Sequence, residues 1–110
     1  MSIETISKEK HVDYMSIGIE KNREKPDYVD YVYICNVYGQ DPRYAHKYRG
    51  IKIGENRGLF RISKETLEPE LLISMEGDES KSRYFRAFGK VIRVYKETSI
   101  FPDKTGYQCG

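Results

Sequence analysis

The sequence predicts an α+β domain: an antiparallel sheet of four to five strands with a C-terminal amphipathic helix packed on one face. Three observations carry that expectation. Runs of strand period or strand composition recur from Val12 to Met75, the period becomes helical between Ser80 and Glu97, and short clusters of Gly, Pro, Asp and Glu separate the runs. A length of 110 residues suits one core and is short for two, so residues 1–110 are read as a single domain.

From Val12 to Lys21, Met15, Ile17 and Ile19 alternate with Ser16, Gly18 and Glu20, the period of a half-buried strand. NREKPD then supplies charge, a proline and a turn-forming Asp. The following run, YVDYVYICNVYG, sets Val29, Tyr31, Tyr33, Cys35 and Val37 on one face. Val32 and Ile34 make its other face apolar too, which places it inside the sheet, in a hairpin with the first strand. GQDPRYAHKYRG breaks the pattern with glycines, a proline and charged side chains, and is read as a long surface loop of the kind that often carries function. Gly50, Gly54 and Gly58 then punctuate a short IKI segment, where turns or a bulge are expected. LFRISK and ELLISM form a second hairpin around ETLEP, with Phe60 and Ile62 sharing a face with Leu71, Ile73 and Met75. Pro69 falls in the turn or on an edge, where its missing N–H costs little.

Tyr84, Phe85, Phe88, Val91, Ile92 and Tyr95 form one helical stripe that must lie on the sheet. Asp78 or Ser80 can cap the helix N-terminus, Glu76, Asp78 and Glu79 complement its dipole, and Pro102 ends the region.

Composition narrows the function. A net charge of +2 requires any basic patch to be local. No apolar run approaches the roughly 20 residues that span a bilayer, and the polar start MSIETISKEK lacks a secretory h-region, so a cytoplasmic protein without a membrane partner is expected. Cys35 and Cys109 are read as thiols rather than a disulfide, because pairing them would tie a core strand to the chain's end.

Chemistry is sparse. His11 and His46 are the only histidines, and a Cys35/His46 pair would need the thiol of an inward-facing strand residue to be reactive. No zinc spacing is present, GIKIGENRG lacks the Lys-Ser/Thr and following helix of a phosphate loop, and EGDES lacks the alternating ligands of a calcium loop. The reading is a non-enzymatic protein without metal or cofactor. Against it stands a small nuclease using His46 with Arg43 or Arg49.

Opposite the apolar stripe stand Lys81, Arg86, Lys90, Arg93 and, one step on, Glu97, with Arg83 to the side. They make a solvated face, a docking face for an acidic protein or a nucleic-acid surface. The long loop joins Arg43, Tyr44, His46, Tyr48 and Arg49, residue types that anchor protein interfaces and also stack on bases.

From Gly58 to Tyr107, roughly the C-terminal half, the chain shows a short hairpin with a Lys-Glu-Thr turn, a strand ending at an acidic Gly-Asp segment, a helix and an FPDKT tail. This order resembles the small immunity proteins of bacterial contact-dependent inhibition and related polymorphic toxin systems. The resemblance implies a cytosolic inhibitor that binds a cognate toxin domain and covers its active site or an adjoining surface. Against a cationic nuclease toxin, Glu76, Asp78 and Glu79, with Glu65 and Glu68 in the hairpin turn, are the expected steering charges, and Tyr44, Tyr48 and Arg49 the expected anchors. The alternative is a small nucleic-acid-binding protein using Arg86, Lys90 and Arg93 or the Tyr/Arg loop.

Overall fold

The alternating segment near the N-terminus forms a strand because its apolar members reach one core. In the computed structural model, which describes residues 11–12, 16–39 and 51–108, Ile17 and Ile19 are buried while Gly18 and Glu20 are exposed. The element order is β1 (His11–Val12), β2 (Ser16–Glu24), β3 (Tyr28–Gly39), β4 (Ile51–Ser63), β5 (Pro69–Ile73), α1 (Ser82–Thr98) and β6 (Lys104–Gln108). The five longer strands form an antiparallel sheet in the order β5-β4-β3-β2-β6, and β1 pairs with β3. The fold is therefore α+β, a five-stranded antiparallel sheet with one C-terminal helix on one face.

The inward face of β3 is the centre of the core. Val29, Tyr31, Tyr33 and Cys35 are fully buried there, against Phe60 and Ile62 of β4 and Ile17 and Ile19 of β2. Tyr84, Ala87 and Val91 of α1 close over them, and Phe60 lies 5.8 Å from the Tyr33 ring and 5.7 Å from that of Tyr84. As the two-sided apolar pattern of β3 predicts, this strand is interior. Pro69 opens the edge strand β5.

Several expectations give way to tertiary pairing. Residues 51 to 63 form one continuous strand, so Gly54 and Gly58 lie within it rather than at turns, while the expected bulge falls beside Gly54, where the pairing passes from Val37↔Gly54 to Tyr38↔Lys52. Gly58 opposes Tyr33, whose ring occupies the space a Cβ would need. Ile73 does not share the Phe60 face. Phe60 pairs with Leu71 and Leu59 with Ile73, so the extra residue Leu72 turns Ile73 outward, where it is 56% exposed. The buried stripe of α1 is centred on Tyr84, Ala87 and Val91, which leaves Phe85 on the flank at 56% exposure. The FPDKT segment leads into a fifth long strand: β6 pairs with β2 from Ser16↔Gln108 to Glu20↔Lys104.

Candidate protein-binding surface

α1 covers one face of the sheet. On the other, Val32 stands between Glu20 and Leu59, Leu59 pairs with Ile73, and Ile34 lies between Gly18 and Arg57. Val32, Ile34 and Leu59 are only half-buried. A solvated antiparallel face normally alternates to polar residues, so this apolar group departs from a purely structural pattern. Charge surrounds it. Glu20 faces Lys104, Arg57 reaches Glu55 at 3.0 Å, and Arg61 binds Asp30 through two hydrogen bonds of 2.8 and 3.2 Å. An apolar centre with a charged rim is the anatomy of a protein interface.

The rim continues into the hairpin turns, which lie side by side because the Lys64 N–H donates to the Asp27 carbonyl at 2.9 Å. Ser63 Oγ accepts from the N–H groups of Glu65 and Thr66, which helps the β4–β5 turn close. Beside the turns lies a depression of about 310 Å³ lined by Asp27, Tyr28, Arg61, Ser63, Glu68 and Glu70. The Arg61 guanidinium sits 3.8 Å above the centre of the Tyr28 ring, which fixes the cation already paired to Asp30. Glu24 takes both Lys21 and Lys64, and hydrogen bonds from these ammonium groups hold its carboxyl below the usual range. Asp27, Glu65, Glu68 and Glu70 are exposed and make no ion pair among the described residues. Exposed Arg23 and Lys25 beside them are likewise unpaired, so this end of the sheet carries an excess of negative charge, four acids over two cations.

The residues singled out from sequence fall into three places. Arg43, Tyr44, His46, Tyr48 and Arg49 lie outside the described residues; the strand ends that bound their segment, Gly39 and Ile51, are cross-strand partners. Glu76 and Glu79 are exposed, and Asn56 Nδ2 donates to the Glu76 carbonyl at 2.8 Å. They belong to the sheet end toward Gly39 and Ile51, opposite the hairpin turns, because Asn56 pairs with Cys35. Asp78 departs from the expected steering role. It is 2% exposed, and its carboxylate accepts from the N–H groups of Arg83 and Tyr84, each at 3.1 Å. Arg83 Nη1 also lies 3.4 Å from it. The helix's unpaired first-turn N–H groups draw this charge inward, since Lys81 at the N-cap is left-handed and offers no side-chain cap.

Val32, Ile34, Leu59 and Ile73 were not legible as a surface. For Val32 and Ile34 the signal was the two-sided apolar pattern of β3, which fits complete burial equally well, and Leu59 and Ile73, on β4 and β5, carried none. Among the described residues no group of His, Cys, Asp and Glu is placed to hold a metal ion, and no helix is long and apolar enough to cross a membrane. Compared with protein-family models, with curated proteins and with solved structures, the chain matches none.

Proposed function

We propose that this chain is a protein-binding inhibitor of the immunity class its C-terminal half resembles, and that it docks a cationic toxin domain on the open face of its sheet. The observation that carries the reading is the apolar group Val32, Ile34, Leu59 and Ile73, bordered by the exposed acids Asp27, Glu65, Glu68 and Glu70. The apolar centre supplies area that leaves water, and the acids speed encounter with a basic partner. Glu76 and Glu79 supply a second contact set toward the opposite end, and Arg43, Tyr44, His46, Tyr48 and Arg49 are the proposed anchors from the segment outside the described residues. An inhibitor that leaves almost no free toxin needs nanomolar affinity, about 12 kcal/mol.

The test is sequencing of the flanking genes, where the reading expects a toxin gene, and co-expression of the chain with that toxin domain. Protection is expected from the wild-type chain and lost with Ile73→Asp, whose exposed position leaves folding intact. Reversing Glu68 and Glu70 to Lys slows association, and the same change at Glu76 and Glu79 measures the second contact set. Equal killing with and without the chain ends the reading.

A further inference from the structure

Cations across this molecule are unevenly matched. Lys21 and Lys64 share Glu24, Arg57 meets Glu55, Arg61 meets Asp30, and Arg83 meets Asp78. Exposed Arg23, Lys25, Lys96 and Lys104 also lack an ion pair among the described residues, but on the outer side of α1 such cations cluster, with exposed Glu97 at the C-terminal end of their stripe. Lys81, Arg86 and Arg93 are exposed and Lys90 half-exposed, and none of them makes an ion pair among the described residues. Arg86, Lys90 and Arg93 follow at i, i+4 and i+7, so they stand on one stripe about 10 Å long.

The stripe has an aromatic neighbour. Tyr107 lies on β6, an edge strand of the sheet, and is only half-buried. The Arg86 guanidinium sits 5.8 Å from the centre of its ring. A planar cation beside an aromatic ring at an open edge forms a platform on which a flat base can stack, while the two cations beyond it meet successive phosphates. An acidic protein surface would use the charges and make no use of that platform.

We infer that the outer face of α1, with Tyr107, is a binding strip for single-stranded nucleic acid, separate from the open sheet face and independent of the inhibitor reading. Arg86 and Tyr107 hold a base, and Lys90 and Arg93 neutralise the backbone that follows. The contacts are to backbone and ring faces, so binding tolerates sequence.

Fluorescence anisotropy with a labelled single-stranded oligouridylate and the full chain tests this. Two neutralised phosphates at about 0.7 counterions each give a log–log salt slope near −1.4, so affinity should fall roughly sevenfold for a fourfold rise in KCl. Arg86→Glu with Lys90→Glu and Arg93→Glu should abolish binding while the circular dichroism spectrum stays unchanged. Arg86→Lys, which keeps the charge and loses the plane, should weaken binding several-fold and leave the salt slope in place. Absence of binding at low salt, binding unaffected by the triple reversal, or polyglutamate binding as tightly as the oligonucleotide would each overturn the inference.

Discussion

The ring of Tyr33 lies across Gly58, its cross-strand partner, so closely that a Cβ at position 58 would stand 2.3 Å from two ring carbons and 2.6 Å from the hydroxyl oxygen. Phe60 and Tyr84 hold the ring from the other sides. The glycine is thus part of the core by virtue of what it lacks.

Gly58→Ala should therefore destabilise the fold by about 3 kcal/mol, at the upper end of overpacking costs, because the buried ring has nowhere to move. Gly54, in the same strand, has no atom of the described residues within 4 Å of its would-be Cβ. Gly54→Ala should be neutral or stabilising by about 0.5–1 kcal/mol, since a strand glycine costs entropy. Urea titration of the two variants separates these outcomes.

Two buried tyrosines should respond in opposite ways to loss of the hydroxyl. Tyr31 Oη donates to the Pro102 carbonyl at 2.7 Å, so Tyr31→Phe should cost about 1 kcal/mol. Tyr33 Oη is buried beside the Met75 backbone and makes no hydrogen bond among the described residues. Tyr33→Phe should then be neutral or stabilising by up to about 1 kcal/mol, because an unpaired buried hydroxyl is a cost. A loss as large as that of Tyr31→Phe would place a hydrogen bond at Met75.

Alkaline stability follows from the same ring. Burial pushes the Tyr33 phenol from its ordinary 10.0 up to about 12, and burial raises Tyr31 and Tyr84 as well. In the unfolded chain these phenols lose their protons near 10, so above that pH the folded state binds more protons than the unfolded one. The stabilisation is complete below pH 10 and declines as pH rises through 10 toward 12. Denaturation midpoints across that window should fall, and fall less steeply in Tyr33→Phe.

Asp78→Ala should cost about 3–5 kcal/mol, because it removes a helix cap and strips the counter-charge from Arg83, which is 2% exposed. Glu79→Ala, next in sequence and exposed, should cost under about 0.5 kcal/mol. Thermal melts of the pair distinguish a structural carboxylate from a surface one.

Local pattern determined much of this protein. The alternation of β2, the two-sided apolar run of β3 and the helical stripe from Tyr84 to Tyr95 each follow from periodicity along a few residues, and together they dictate an antiparallel sheet with one helix. Asp78 was legible as a possible cap because capping is also local. Register and enclosure were decided only in three dimensions. The extra residue Leu72 reverses the face of Ile73, Tyr33 reaches Gly58 across a strand pair, and β6 becomes a strand because β2 offers it an unpaired edge. The open face around Leu59 belongs to this second class: an apolar side chain reads the same in sequence whether or not a layer covers it, and among the described residues one helix serves two faces and covers one.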